Sequence, residues 1–179
     1  MCGGRAEHAP AATPQVRIIR DMDAKVLVID DEPQICALIA DSLTAAGCRC
    51  EAALSGAEGM GRAAQFDPEV LFLDVRLGDM DGLEMLRQLL QARPDLIVIV
   101  MSGQGGVPVA VEAMKRGAFH YLTKPFSLKE VEALLEKALE NRALKREVEA
   151  LRLEQDRLAR RALAGMVGES SAMQRVKEI

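Results

Sequence analysis

The sequence predicts an α/β fold in which a doubly wound, five-stranded parallel sheet carries helices on both faces. Two observations support this fold class. Short, continuous apolar runs recur along the chain, as expected for strands buried on both sides. Each run is followed by a segment with apolar residues at helical spacing. Strands that alternate with helices form parallel sheets with right-handed crossovers.

The predicted strands differ in apolar content. They are expected at residues 26–29, 48–53, 70–73, 97–101 and 121–122. The first, third and fourth are wholly apolar, which indicates burial on both faces. The second is less apolar and is expected near an edge of the sheet. The third ends abruptly at Asp74, so a buried strand delivers a carboxylate to its carboxyl end.

Helix start and stop signals place the helices between and after these strands. The helices are predicted at residues 33–46, 55–64, 82–92, 107–116 and from 128 onward. Pro33 suits a first helical turn, and Gly47 ends the first helix. Ser55 can cap the second helix and Ser127 the last one. Gly117 ends the fourth helix.

Composition limits the possible functions. The chain has 179 residues, 49% of them hydrophobic and 3% aromatic, so its core is aliphatic. The net charge of −4 does not indicate nucleic-acid binding by the whole surface. There is no apolar run of membrane-spanning length and no evident signal peptide, so we expect a cytoplasmic protein. Cys2, Cys36, Cys48 and Cys50 lack metal-binding spacing and are interpreted as small apolar residues in a reducing compartment.

Residues that can do chemistry follow four of the strands. Asp30 and Asp31 follow the first strand, Asp74 the third, Ser102 the fourth and Lys124 the fifth. In doubly wound sheets, ligands bind beyond the carboxyl ends of the strands. Any one of these side chains alone is compatible with a helix cap or a solvated charge. Together, at successive strand ends, they predict one site.

The residue types indicate phosphoryl chemistry assisted by Mg²⁺. Three neighbouring carboxylates repel each other, and a divalent cation relieves the repulsion. Mg²⁺ prefers oxygen ligands, so we expect Asp31 and Asp74 to hold it, with Asp30 assisting through water. Asp74 is also the candidate nucleophile and would form an aspartyl-phosphate. Lys124 would neutralise charge on the phosphoryl group, and Ser102 would offer it a hydroxyl.

The same residues stand in four motifs that carry a family resemblance. The motifs are Val28-Ile29-Asp30-Asp31-Glu32, residues 71–82, Val100-Met101-Ser102-Gly103 and residues 121–126. Through these motifs, residues from about 25 to 141 resemble the receiver domain of bacterial two-component response regulators. That domain has a flavodoxin-like fold. All five functional positions are filled, and the bond between Lys124 and Pro125 would be cis. Gly78 is a departure, because the family often has proline there, but it removes no chemical group.

The resemblance implies a phosphorylation switch. Asp74 would accept a phosphoryl group from a sensor histidine kinase, and the backbone carbonyl of Arg76 would be a further Mg²⁺ ligand. On phosphorylation, Ser102 would move toward the phosphoryl group and Tyr121 would turn inward. The face formed by the fourth helix, fifth strand and fifth helix would then change. That face is also an expected homodimer interface.

The last helix is predicted to continue beyond the receiver domain. From residue 128 to about residue 161 the chain has no proline or glycine, and its helix propensity is high. The a and d spacing of a coiled coil is followed by Asn141, Leu144, Val148, Leu151, Gln155, Leu158 and Ala162. We expect a parallel coiled coil that helps to form a dimer. The alternative is a single solvated amphipathic helix.

Four segments are therefore predicted. They are a disordered N-terminal extension at 1–23, the receiver domain at 24–141, a helical coiled-coil linker at 142–164 and the truncated start of a AAA+ ATPase domain at 165–179. Met22 is an alternative start to Met1.

The last segment determines which downstream functions are expected. Residues 166–176 resemble the first part of the ATPase domain of nitrogen-regulation-type activators, which drive transcription with an alternative sigma factor. The chain ends before any phosphate-binding loop, so we expect no ATP hydrolysis and no enzyme activity beyond self-dephosphorylation. Contacts with DNA and RNA polymerase would use further domains. The sequence leaves open whether phosphorylation relieves a restraint on that ATPase or promotes its assembly.

Three other functions fit parts of the pattern. A haloacid-dehalogenase-like phosphatase needs a second acid two residues after its nucleophile, and Arg76 occupies that position. A nucleotide or flavin binder needs a Gly-rich loop after the first strand, where this chain has acids. A degenerate receiver that acts only as a constitutive dimerisation module is disfavoured, because all five site residues are present.

Overall fold

The chain forms two compact units, which are described separately. The computed structural model describes residues 23–103 and 106–173, with side chains up to residue 161. The first unit ends at Leu139 and contains the sheet with its helices. The second begins at Glu140 and is helical.

The first unit alternates strands and helices, as predicted. The strands are β1 (Lys25–Ile29), β2 (Arg49–Ala53), β3 (Val70–Asp74), β4 (Ile97–Ser102) and β5 (His120–Thr123). The helices are α1 (Pro33–Ala45), α2 (Gly56–Phe66), α3 (Gly82–Ala92), α4 (Gly106–Lys115) and α5 (Leu128–Met173), of which α5 continues into the second unit. Each predicted element is present, and α5 extends well beyond its predicted end.

The five strands form one parallel sheet in the order β2-β1-β3-β4-β5. This arrangement confirms the predicted doubly wound fold and places β2 at an edge, as its lower apolar content indicates. The central strand is β3. The order changes direction between β1 and β3, and ligands of such sheets bind beyond the carboxyl ends of the strands at this point.

Two apolar layers cover the sheet, one on each face. Val28, Phe72 and Leu135 are fully buried in one layer. Leu73 and Leu86 are fully buried in the other. Burial of one such side chain contributes about 1.5–3 kcal/mol. Because β1 and β3 are apolar toward both layers, their first buried polar side chains come where the strands end.

Local sequence signals fix the helix ends. The backbone N–H of Glu58 donates to the Ser55 hydroxyl at 3.2 Å, which caps α2. Ser127 and Glu130 form a capping box at the start of α5: the Glu130 N–H donates to Ser127 Oγ at 3.3 Å, and the Ser127 N–H donates to Glu130 Oε2 at 2.7 Å. Gly117, after α4, has a φ of 97°, in the left-handed region that favours glycine. Both predicted serine caps are therefore confirmed.

Among the described residues, Cys36, Cys48 and Cys50 are buried or half-buried free thiols. Burial raises the pKa of Cys36 and of Cys48 to about 11, and it also raises the pKa of Cys50. These thiols are protonated near pH 7 and behave as small apolar groups, as predicted. Cys2 lies outside the described residues.

The second unit is the remainder of α5. Its apolar side chains Leu144, Val148, Leu151 and Leu158 are 47–63% exposed. Although α5 has 46 residues, neither it nor another helix in the described part of the chain is apolar enough to cross a membrane. A row of apolar side chains is thus open to solvent in the single chain.

The predictions for the two ends of the chain stay predictions. The N-terminal extension, residues 1–23, lies outside the described residues except for Asp23. The backbone of α5 is helical to Met173, which includes part of the segment predicted to begin an ATPase domain. Side chains after residue 161 also lie outside the described part.

Candidate functional site

Four strand ends meet at one edge of the sheet. Asp74 and Ser102 are the last residues of β3 and β4. Asp30 and Asp31 directly follow β1, and Lys124 directly follows β5. Neighbouring strands run parallel and in register, so their carboxyl ends lie side by side. All five residues predicted from the motifs are therefore at the same edge.

The three carboxyl groups differ in burial. Asp30 is fully buried, Asp74 is 5% exposed and Asp31 is exposed. Burial raises the pKa of Asp74 to about 6; Lys124 opposes this shift, and the charges of Asp30 and Asp31 add to it. Burial also raises the pKa of Asp30, against the hydrogen bond from Lys124. The cluster holds more negative charge than one ammonium group neutralises.

Lys124 is shared by three carboxylates. Its Nζ lies 2.7 Å from Asp30 Oδ2, 3.1 Å from Glu32 Oε1 and 3.6 Å from Asp74 Oδ1. Burial lowers the pKa of Lys124, but the hydrogen bond to Asp30 and the charges of Asp30 and Asp74 outweigh it, so the pKa is raised. The Lys124 backbone N–H donates to the Ser102 carbonyl at 2.8 Å. A charged ammonium group is thus held beside Asp74.

The remaining predicted residues lie around this cluster. Ser102 is buried at the end of β4. Tyr121 is half-buried in β5 and packs against the apolar layer that contains α3. Arg76 is exposed in the loop after β3, two positions from Asp74. The peptide bond between Lys124 and Pro125 is cis.

The loop between β3 and α3 is held closely at its base. The Gly82 N–H donates to the Val75 carbonyl at 2.9 Å, and Arg76 forms an isolated antiparallel bridge with Asp81. A Cβ atom at position 82 would overlap the carbonyl oxygen of Asp74. Gly82 therefore allows α3 to begin directly against the backbone of the candidate nucleophile.

Two side chains near the site are not indicated by the sequence pattern. Glu32 is part of a motif, but its ion pair with Lys124 depends on the tertiary fold. Asp79 accepts hydrogen bonds from the backbone N–H groups of Gly56 and Ala57, 23 and 22 positions away. No local periodicity connects residues this far apart, so neither contact has a sequence signal.

The acidic cluster fits a hard divalent cation. One carboxylate oxygen from each of Asp30, Asp31 and Asp74 lies within 4.8 Å of the other two. Mg²⁺ prefers such oxygen ligands and keeps several waters. An open cavity of about 340 Å³ adjoins the cluster and is lined by Asp31, Glu32, Asp74, Arg76, Gly103 and Lys124. Asp74 thus lies at an accessible site with the ligand chemistry of Mg²⁺.

Comparison with known protein families matches residues 26–136 to the response regulator receiver domain. The matched segment contains nearly all of the sheet and the whole acidic cluster. The chain belongs to the response regulator receiver family. The resemblance predicted from the four motifs is therefore confirmed.

Curated proteins that this receiver matches are transcriptional regulators. It is 40% identical over 161 residues to the C4-dicarboxylate transport transcriptional regulatory protein DctD of Pseudomonas aeruginosa, covering 88% of this chain and 34% of the relative. It is 35% identical over 155 residues to the nitrogen assimilation regulatory protein NtrX of Azorhizobium caulinodans, covering 85% and 33%. The receiver chain thus spans about a third of the length of these relatives.

Solved structures match the receiver fold closely. The crystal structure of NtrX from Brucella abortus in complex with ADP has a TM-score of 0.70 and 36% identity, covering 73% of this chain and 30% of that chain. A response regulator receiver domain protein from Clostridium thermocellum has a TM-score of 0.65 and 32% identity, covering 68% and 98%. The second match spans nearly all of a separate receiver domain, so the sheet unit corresponds to a whole receiver.

Proposed function

We propose that this receiver accepts a phosphoryl group on Asp74 from the phosphohistidine of a sensor histidine kinase and thereby controls a transcription-activating ATPase domain. One observation supports this more than any other. Asp74 ends the central strand, with the Lys124 ammonium group at 3.6 Å and two more carboxylates close by. The reaction would take place in the cytoplasm, as expected from the sequence.

The proposed transfer follows from the chemistry of these groups. A carboxylate oxygen of Asp74 attacks the phosphorus atom, an O–P bond forms and the N–P bond to the kinase histidine breaks. The electron pair of that bond returns to the imidazole, which takes up a proton. With a pKa of about 6, Asp74 is mainly ionised at pH 7 and can act as the nucleophile. Lys124 is placed to pair with a phosphoryl oxygen.

The acids would hold Mg²⁺ during this transfer. Asp31 and Asp74 are the direct candidates, with Asp30 assisting through water and the Arg76 carbonyl as a further ligand. When bound, Mg²⁺ neutralises negative charge on the phosphoryl oxygens. The family also implies slow hydrolysis of the acyl phosphate by the receiver itself, which would reset it without any ATPase activity.

Phosphate labelling tests the acceptor directly. The protein is incubated with Mg²⁺ and acetyl phosphate, and its intact mass and the base lability of the adduct are measured. We expect a single acyl phosphate in the natural chain and none in Asp74→Asn. Asp41→Asn, which removes an exposed carboxylate on α1, is the matched control and should label normally. Labelling that persists in Asp74→Asn would contradict the assignment of Asp74 as the acceptor. Absence of labelling in the natural chain would contradict the proposal and favour a constitutive dimerisation module.

Ser102 and Tyr121 are proposed to transmit the change. Ser102 is buried at the end of β4, the strand beside that of Asp74, and Tyr121 is half-buried on β5. Tyr121 is the only tyrosine and the chain has no tryptophan, so its fluorescence reports on this position alone. We expect the emission to change on phosphorylation and the change to be lost in Ser102→Ala. An unchanged emission in a fully labelled sample would contradict this route.

The second unit is proposed to form a parallel coiled coil with a second copy of the chain, in addition to the dimer contact expected on the α4–β5–α5 face. Its a and d side chains Val148, Leu151 and Leu158 are about half exposed in the single chain. A second helix would remove this apolar surface from water.

The charges beside this seam favour a parallel partner. In the same register, Glu140 and Glu147 occupy g positions, and Lys145 and Arg152 occupy the following e positions. In a parallel dimer, g faces the next e of the partner, so Glu140 meets Lys145 and Glu147 meets Arg152. In an antiparallel dimer, g faces g and e faces e, so like charges would meet. The pattern therefore supports the parallel arrangement.

Paired leucine substitutions test the seam. Leu151 lies at a d position and Leu153 at an outer f position, and they are 53% and 62% exposed. We expect Leu151→Ala to weaken dimerisation in sedimentation equilibrium and Leu153→Ala to leave it nearly unchanged. Removal of the chain after Asn141 should lower dimerisation further. The coiled coil would be contradicted if the two leucine changes had equal effects. It would also be contradicted if the truncated chain dimerised as strongly as the full chain.

The downstream output is proposed from the relatives. DctD and NtrX are named as transcriptional or nitrogen assimilation regulators, and the chain spans about a third of their length. We propose that DNA and alternative-sigma-factor RNA polymerase are contacted by domains that follow this receiver and linker. The sign of control is measured by the ATPase rate of the longer protein with and without the receiver. A faster rate without the receiver indicates relief of restraint, and a slower rate indicates direct promotion.

A further inference from the structure

The loop between β3 and α3 is tied to α2 by one side chain. The Asp79 carboxylate accepts hydrogen bonds from the backbone N–H of Gly56 at 2.7 Å and of Ala57 at 2.9 Å. The two oxygens are used separately, Oδ1 by Gly56 and Oδ2 by Ala57. Because 22 and 23 positions separate the partners, this is a tertiary tie and not a local turn.

The first turn of α2 provides a suitable partner for this carboxylate. The first N–H groups of a helix have no acceptor within the helix, and a negative charge there is favoured. The Ser55 hydroxyl serves the third of them, at Glu58. Asp79 serves the first two. These two hydrogen bonds lower the pKa of Asp79, so the group is ionised at neutral pH.

The loop and the helix also approach closely. A Cβ atom at position 56 would lie 2.7 Å from Cβ of Met80, so only glycine permits this contact without a shift. By contrast, a Cβ at Gly78 would meet no atom within 4 Å. The loop therefore has open space on one side of Asp79 and close contact with α2 on the other.

The tie acts on the loop that directly follows Asp74 in the chain. Arg76, whose carbonyl is the proposed Mg²⁺ ligand, lies three positions before Asp79 in the same loop. The base of the loop is fixed by the bridge between Arg76 and Asp81. At its apex, Gly78 stands where the family often has proline, which would restrict the backbone. Asp79, the next residue, restrains the apex of the loop through its hydrogen bonds with the first turn of α2.

We propose that Asp79 is a positioning residue for the cation site: by binding the N-terminus of α2, it holds the β3–α3 loop in the conformation that presents the Arg76 carbonyl. The proposal rests on the function proposed above, since it assumes that Asp31 and Asp74 bind Mg²⁺. It extends that function to a side chain with no expected contact with the cation.

Metal affinity measures this role directly. The full chain and its variants are titrated with Mg²⁺ alone by isothermal titration calorimetry at pH 7.5. Asp79→Asn keeps one acceptor oxygen but places an amide NH₂ against a backbone donor, so one hydrogen bond is lost. We expect a dissociation constant raised roughly tenfold, the lower end of effects seen when supporting groups around metal sites are removed. Asp79→Glu keeps both acceptor oxygens and is expected to retain most of the affinity.

Ser55→Ala is the matched control. It removes a cap from the same helix N-terminus but leaves the loop untouched, so its Mg²⁺ affinity should equal that of the natural chain. Amide hydrogen exchange without metal provides a second readout. Asp79→Asn should accelerate exchange at Gly56 and Ala57, and Ser55→Ala should do so at Glu58.

Each outcome decides between positioning and simple helix capping. Unchanged Mg²⁺ affinity in Asp79→Asn, equal weakening in Ser55→Ala, or a greater loss in Asp79→Glu than in Asp79→Asn would overturn the proposal. If the natural chain itself binds no Mg²⁺, the proposed function fails as well. If it binds Mg²⁺ and Asp79→Asn binds equally well, only the role of Asp79 is refuted.

Discussion

Replacement of Asp74 by asparagine is expected to stabilise the metal-free receiver at pH 7 but not at pH 4. Asp74 is 5% exposed and shares its surroundings with Asp30 and Asp31. Without a bound metal ion, burial disfavours the ionised form of Asp74 in the folded protein, although Lys124 partly opposes this effect. Asparagine has nearly the same shape without the charge, so it removes this cost.

The magnitude follows from the two pKa values of Asp74. In the unfolded chain the group has its ordinary value of 3.8, and burial raises the folded value to about 6. Below pH 3.8 it is protonated in both states and has no effect. As the pH rises toward 6, the unfolded chain loses the proton first, so folding stability falls. A difference of about two pKa units, at about 1.36 kcal/mol each, gives a cost of about 3 kcal/mol above pH 6.

Urea unfolding monitored by tyrosine fluorescence measures this cost. Tyr121 lies on β5, so its signal reports on the receiver and not on the second unit. The natural chain, Asp74→Asn and the control Asp41→Asn are unfolded in EDTA from pH 4 to pH 8. We expect Asp74→Asn to be more stable by about 3 kcal/mol at pH 7 and the gain to disappear near pH 4. Added Mg²⁺ should narrow the gap, because the proposed binding to Asp31 and Asp74 would stabilise the natural chain.

Two results would refute this reasoning. A difference between Asp74→Asn and the natural chain that is the same at pH 4 and pH 7 would show that charge is not the cause. Lower stability of Asp74→Asn at pH 7 would show that the attraction between Asp74 and Lys124 outweighs burial.

Three further predictions concern Lys124, Gly82 and Leu135. Lys124→Ala should lower the free energy of unfolding at pH 7 by about 3 kcal/mol, because it leaves Asp30 and Asp74 without their cation. The loss should shrink at pH 5, where Asp74, whose folded pKa is about 6, takes up a proton. Urea unfolding at both pH values checks this, and an equal loss at both would contradict it. Gly82→Ala should lower the free energy of unfolding by at least about 2 kcal/mol, because the added Cβ would overlap the Asp74 carbonyl oxygen. Thermal unfolding measures this loss. Gly78→Ala is the control and should be nearly neutral, because a Cβ at that position meets no other atom within 4 Å. Leu135→Ala should lower the free energy of unfolding, measured in urea, by about 2–5 kcal/mol, because Leu135 is fully buried against the sheet. A loss below about 1 kcal/mol would contradict its place in the core.

Sequence patterns predicted the sheet because its inner strands are buried on both faces. The run from Val70 to Leu73 has no polar residue, and such short apolar runs between turn signals indicate parallel strands. The location of the site followed from the same pattern, since the carboxyl ends of parallel strands share one edge. Asp30, Asp74 and Lys124 were found in this way because each interrupts or follows an apolar strand.

Contacts made by side chains across the fold had no such signal. The sharing of Lys124 by Asp30, Glu32 and Asp74 depends on where a flexible side chain points after folding. The tie from Asp79 to α2 joins a loop to a distant helix, and nothing in the spacing of residues indicates it. The raised pKa of Asp74 likewise depends on burial, which the sequence indicates only in outline.

Because Lys124 directly follows β5, the last strand, the candidate site is complete only after that strand has been synthesised. The groups that meet at Nζ include Glu32, 92 positions earlier in the sequence. Contacts of such long range form only after a large loop has closed, so they belong to the slow part of folding. During synthesis, β1 and β3 emerge before β5, and until then Asp74 has no ammonium group beside it. Because the proposed phosphoryl transfer uses Lys124, a chain in which β5 has not yet been made and paired lacks one of the groups that would stabilise phosphorylated Asp74.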